Sequence, residues 1–108
     1  MDLWEEWCPH CINANEKIEP LKADRFKDVA FVYMASESSN KENWKERIAG
    51  IQGVHYYLSR DQMSATLKQA GSSAYPTFIV AGRDGQIITT YVGFHESEMY
   101  KTLDDALK

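Results

Sequence analysis

The spacing of hydrophobic positions changes several times along the chain, and each change predicts an element. Cys11, Ala14, Ile18 and Leu21 recur at i, i+3, i+7 and i+10, one stripe of a helix that starts at Cys8, with Asn13, Asn15, Glu16 and Lys17 off that line. Pro20 is expected to kink or end this helix, because an interior proline removes a backbone hydrogen bond and collides with the preceding turn. Val29 to Met34, V-A-F-V-Y-M, is a continuous apolar run of β-formers and predicts a strand buried on both faces. After the polar break S-E-S-S-N, Glu42 to Ala49 predicts a helix with Trp44 and Ile48 four apart. V-H-Y-Y-L, following Gly50 and Gly53, predicts a short extended segment.

Ser59 with Gln62 three residues later is a capping-box start for a helix that aligns Met63, Leu67 and Ala70 and stops at Gly71. T-F-I-V-A, a tight G-R-D-G turn and Q-I-I-T-T-Y-V predict a hairpin, followed by a helix from about Ser97 with Met99, Leu103 and Leu107 on one face. At the other end, Asp2 to Glu6 predicts a strand of which only the final residues are present. A strand-helix-strand opening needs a right-handed crossover and parallel strands, whereas the closing hairpin must be antiparallel. The fold class is therefore α/β: a mixed central sheet with helices on both faces, its first core strand truncated at the N-terminus.

Composition narrows the picture. At 108 residues and 44% hydrophobic content, residues 1–108 are expected to form one globular domain with one core. The 12 basic and 16 acidic side chains are interspersed, without the lysine or arginine block that tracks a phosphate backbone, so nucleic acid is not an expected partner. No apolar run approaches the ~20 residues that span a bilayer, and the N-terminus is too acidic for a secretory signal. The chain as given is expected to be soluble, with any export signal lying upstream. Two cysteines are too few for a disulfide scaffold, and a Cys8–Cys11 bridge closes a loop too short to restrain much of the unfolded chain.

Their spacing therefore points to chemistry. Proline is favoured at the first helical position, so Pro9 places Cys8 at the N-cap, His10 at the second position and Cys11 at the third. An N-cap sulfur faces free backbone N–H groups and the positive end of the helix dipole, which stabilises its thiolate. Cys11 heads the apolar stripe and is expected to be more buried, with a higher pKa. An activated thiol beside a shielded one suits two-step exchange, in which Cys8 forms a mixed disulfide and Cys11 resolves it. His10, beside the thiolate, is the expected tuning residue: a hydrogen bond or charge from it stabilises the reduced form and makes a stronger oxidant.

D-L-W-E-E-W-C-P-H-C, with A-Y-P-T-F-I-V, R-D-G-Q-I and Y-V-G-F, resembles the thioredoxin superfamily over nearly the whole chain and in the right order. The resemblance implies the thioredoxin fold and a protein disulfide oxidoreductase with no cofactor beyond its own redox-active Cys8–Cys11 pair. The helix-bearing insertion, with F-V-Y-M-A-S-E and E-N-W-K, looks most like the TlpA and ResA-like envelope branch, whereas the Pro-His dipeptide is similar to that of DsbA, a protein oxidant. The branch implies a reductase or disulfide-exchange protein of the bacterial cell envelope or periplasm.

The resemblance also assigns residues. Cys8 matches the attacking cysteine, Cys11 the resolving one, and Pro76 the cis-proline facing the disulfide, although an X–Pro bond is ordinarily trans. Tyr75, just before it, is implied to offer its backbone to an extended substrate. Trp7 resembles the tryptophan flanking the site and Gly93 the backbone glycine of the substrate groove. Trp7, Pro9, Tyr75, Pro76 and Gly93 are thus the expected substrate contacts. Asp2 falls where the family keeps a buried acid beneath the resolving sulfur, an implied proton relay, although this chain starts almost at that aspartate. The implied partners are proteins or peptides carrying disulfides or thiols and an unidentified recycling partner, with the chain acting as a monomer.

Two other classes use the same residues. The cysteine pair supplies half of a tetrahedral zinc site or a thiolate pair for Cu(I), as in metal delivery, but His55 and His95 are isolated from each other. Alternatively, the groove around Trp7, Tyr75 and Pro76 serves as a binding module without turnover. Covalent haem attachment is poorly supported, because Ile12 follows Cys11 where a histidine is needed.

Overall fold

A computed structural model describes all residues, 1–108. The elements in order are β1 (Asp2–Leu3), α1 (Pro9–Ile18), a 3-10 turn (Glu19–Leu21), β2 (Val32–Ser36), α2 (Lys41–Ile48), β3 (Val54–Leu58), α3 (Arg60–Gln69), β4 (Thr77–Ala81), β5 (Ile87–Val92) and α4 (Glu96–Ala106). They form one five-stranded sheet in the order β3-β2-β1-β4-β5. β2 runs parallel to β1 and β3, whereas β4 runs antiparallel to β1 and β5. The mixed sheet expected from the crossover and the hairpin is thus present.

The truncated first strand sits in the middle of the sheet. Asp2 lies beside Tyr33 and Phe78, and Leu3 beside Met34 and Thr77. The pairing continues one residue to each side: Met1 exchanges backbone hydrogen bonds with Ile79 at 2.7 and 2.8 Å, and Trp4 N–H donates to Met34 C=O at 3.0 Å. Glu5 and Glu6 leave the expected strand because the chain turns there, Cys8 N–H closing onto Glu5 C=O at 3.2 Å.

Side-chain alternation divides the core between the two faces. Ala14 and Ile18 of α1, Phe78 and Val80 of β4 and Met99 and Tyr100 of α4 pack on one face with Phe26. Trp4, Cys8, Cys11, Tyr33, Ala35 and Trp44 extend that face toward α2. Leu3, Ile79 and Met63 pack on the other, under α3. Burying these apolar stripes against the sheet, at roughly 25 cal/mol per Å² removed from water, is the main force holding the layers together.

β2 begins three residues later than the apolar run suggests. Val29 N–H closes a turn onto Phe26 C=O, and Phe31 packs on the core from outside the strand. Two-sided burial nevertheless holds: Tyr33 and Ala35 join the helix α1 side, and Met34 packs against the α3 side. The Ser59 capping box forms both of its hydrogen bonds with Gln62, at 2.9 and 3.1 Å. Gly53, at φ +145°, admits no side chain, because a Cβ there would meet Phe31 O at 2.7 Å.

Candidate functional site

Helix α1 starts as its proline dictates. Cys8 is the N-cap in extended conformation (φ −91°, ψ 109°), Pro9 opens the helix, and Cys8 Sγ accepts the Cys11 N–H at 3.2 Å. The two sulfurs are bridged, with Cα atoms 5.3 Å apart. Cys11 is fully buried, but Cys8 is also only 5% exposed, so in the disulfide form the two differ less in exposure than the helical geometry suggests. The N-cap position of Cys8, rather than wide exposure, sets it apart.

The neighbouring surface gathers the residues assigned by sequence. His10, Asn13, Lys17, Tyr75, Pro76, Gly93, Phe94 and Glu96 line one open groove. The Tyr75–Pro76 peptide bond is cis. Gly93 donates its N–H to Pro76 C=O at 2.8 Å and holds φ +90°, a conformation that favours glycine. No hydrogen bond engages the backbone N–H or C=O of Tyr75. Trp7 is 54% exposed, packs edge-on against Tyr75 at 6.0 Å between ring centroids and donates its indole N–H to Ser38 C=O at 3.1 Å. His10 is exposed on the first turn of α1.

Asp2 is buried, and neither carboxylate oxygen has a hydrogen-bond partner. It borders a small apolar cavity with Ile18, Phe31, Tyr33, Phe78 and Met99, and no hydrogen bond joins it to a cysteine. Burial raises its pKa to about 7, against the opposing pull of the N-terminal ammonium and Lys22. The Lys22 ammonium is itself buried but satisfied, donating to Glu19 Oε1 at 2.7 Å, Tyr33 Oη at 2.7 Å and Gln52 C=O at 2.6 Å. Burial lowers its pKa, and Glu19 opposes that shift.

One residue of the site was not singled out by sequence. Glu5 is fully buried: Oε1 accepts from Ser36 N–H at 2.9 Å and Ser39 Oγ at 2.7 Å, and Oε2 accepts from Ser36 Oγ at 2.5 Å and Tyr75 Oη at 2.9 Å. The signal available was alternation, since Glu5 lies two positions beyond the core residue Leu3, together with the run of hydroxyl donors in S-E-S-S-N.

An N-cap cysteine pair on the helix after a central strand, beside a cis-proline at the start of the hairpin, defines the thioredoxin-like class of α/β fold. The chain belongs to the Redoxin family, whose model matches residues 1–107. It is similar to a thioredoxin candidate from Neisseria meningitidis, with TM-score 0.79 and 25% identity over 98% of this chain and 71% of that one. It also resembles a candidate thiol:disulfide interchange protein DsbE from Chlorobium tepidum (TM-score 0.68, 18% identity, 98% and 74% of the two chains). The exposed lipoprotein thioredoxin of Streptococcus pneumoniae has the same fold (TM-score 0.69, 18% identity, 96% and 81%). No curated protein sequence matches the chain. No helix is long and apolar enough to cross a membrane.

Proposed function

We propose that the protein is a thiol–disulfide oxidoreductase that exchanges disulfides with protein or peptide substrates through Cys8 and Cys11. The observation that carries this reading is the bridged pair with Cys8 at the N-cap of α1, whose first turn lines, through His10, a groove shared with Tyr75 and Pro76. In the reductive direction, the Cys8 thiolate, held by the Cys11 N–H and the helix dipole, attacks one sulfur of a substrate disulfide. A Cys8–substrate bond forms, and the other substrate sulfur leaves as thiolate. Cys11 then loses its proton and attacks Cys8 Sγ, forming the internal disulfide and releasing the second substrate thiol. Two electrons pass to the substrate, and an external dithiol restores the pair.

The free backbone N–H and C=O of Tyr75 supply a strand-like edge for an extended substrate, with Trp7, Pro9 and Gly93 as flanking contacts. His10 tunes the thiolate from the rim. Asp2 holds a proton near neutral pH and borders a cavity with Ile18 and Tyr33 on the side of the sheet that also carries Cys11, and we assign it the proton relay for the resolving thiol. The α2 insertion supports a reading within the TlpA and ResA-like branch, and the Pro9–His10 dipeptide is similar to that of DsbA. We infer a reductase or disulfide-exchange role in the cell envelope, supported by the interchange and exposed-lipoprotein descriptions of the similar structures.

Insulin reduction by dithiothreitol tests the reading. Wild-type protein is expected to accelerate it and Cys8→Ser to abolish the acceleration. Equal rates for the two proteins refute the redox role, and metal near one equivalent per chain after purification supports Cu(I) or zinc binding instead. The role assignment has its own check: in the reduced protein Cys8 is expected to alkylate faster than Cys11 near neutral pH, and the reverse order overturns it. Direction follows from the potential against glutathione, expected nearer the thioredoxin value of about −270 mV than the DsbA value of about −120 mV.

A further inference from the structure

A fully buried carboxylate is costly unless each oxygen is well supplied with donors. Glu5 has four donors and no paired cation: the ion pairs of the chain all involve other acids. Those donors come from two different places in the chain. Ser36 ends β2 and Ser39 lies in the turn that follows it, and Tyr75 is the residue before the cis-proline. Glu5 itself lies in the approach to Cys8 and takes the Cys8 N–H on its backbone C=O at 3.2 Å.

The contacts close a circuit. Tyr75 meets Trp7 edge-on, the Trp7 indole donates to Ser38 C=O, Ser38 N–H donates to Ser36 Oγ at 3.2 Å, and Ser36 returns to Glu5. Glu6 N–H adds a parallel tie to Ser39 Oγ at 3.0 Å. The end of β2, the turn after it and the loop before Pro76 are thus fastened to one carboxylate. Only one bond in the circuit, Tyr75 Oη to Glu5, reaches the loop that presents a free backbone edge.

We propose that Glu5 is a positioning residue for substrate binding: through Tyr75 it holds the Tyr75–Pro76 backbone in register with Cys8, and so sets affinity for an extended peptide disulfide without setting thiol reactivity. This inference rests on the oxidoreductase reading and deepens it. Glu5→Gln retains shape and one carbonyl oxygen for Ser36 N–H, which only an acceptor satisfies. Its amide group then replaces an acceptor at Tyr75 Oη, so the tyrosine hydroxyl must reverse its role or let go. Tyr75→Phe cuts the same bond from the other end.

The test uses the full chain and a short peptide closed by one disulfide and carrying a fluorophore and quencher. Glu5→Gln and Tyr75→Phe are each expected to raise KM about tenfold, with kcat and the iodoacetamide rate of Cys8 within about twofold of wild type, and the double variant no worse than either single one. Amides of residues 72–77 are expected to exchange hydrogen faster in both single variants. Unchanged KM with unchanged exchange overturns the proposal, as do effects that multiply in the double variant or a Cys8 alkylation rate that falls in step with KM. A wild-type protein without turnover refutes the oxidoreductase reading instead, and amide exchange then decides the Glu5–Tyr75 tie by itself.

Discussion

Asp2 and Glu5, three residues apart, show two ways in which a buried acid is accommodated. Glu5 is surrounded by donors, whereas Asp2 has none and titrates at about 7 instead of 3.8. Between those values the folded chain keeps a proton that the unfolded chain has lost, so this group makes stability fall as pH rises from about 4 to about 7 and level off above. A shift of about three units corresponds to about 4 kcal/mol at neutral and higher pH. The N-terminal ammonium and Lys22 oppose that shift without cancelling it. Urea unfolding at pH 5 and pH 8 is expected to show Asp2→Asn gaining stability over wild type mainly at pH 8; an equal difference at both values contradicts the burial account. At the rim, His10→Pro is expected to lower the reduction potential by roughly 30 mV or more, each 30 mV being about 1.4 kcal/mol. An unchanged potential removes His10 from the tuning role.

At the scale of elements, the legible parts were those governed by local chemistry. The start of α1 is legible in W-C-P-H-C because a proline at the first helical position fixes where the helix begins, and Ser59 with Gln62 marks α3 by a local capping bond. The start of β2 was less legible, because Val29 is apolar for packing, its N–H closing a turn onto Phe26, and Phe31 packs on the core while lending only its C=O to Val54 N–H at 3.0 Å. Glu5 was illegible as a site residue because its donors lie 31 to 70 positions away. The cis peptide bond at Pro76 likewise follows from resemblance and not from local propensity. Two substitutions test the element boundaries. Ser59→Ala is expected to cost about 1 kcal/mol of stability and leave turnover unchanged, read by urea unfolding and insulin reduction. Gly93→Ala has open space for its Cβ, His95 Nε2 being 3.8 Å away, so its cost is the left-handed backbone, about 1–2 kcal/mol. Because Gly93 N–H holds Pro76 C=O, that variant is also expected to raise KM, and a stability loss with unchanged KM contradicts the groove assignment.

For the whole molecule, the sheet order puts the two-residue β1 at the centre, so the chain's own N-terminal residues are load-sharing members of the sheet and also lead directly into the redox helix. The α1 side carries the cysteines, with Tyr75 packed against them, and α3 buttresses the opposite face. The central claim is that this arrangement delivers Cys8 to a substrate disulfide and keeps Cys11 behind it. Trapping tests that claim most directly: reduced Cys11→Ser protein is mixed with oxidised insulin, quenched in acid and mapped by mass spectrometry. The expected result is a mixed disulfide on Cys8, absent when Cys8→Ser is used in its place. No adduct with Cys11→Ser, or a comparable adduct on Cys11 in the Cys8→Ser protein, contradicts the account.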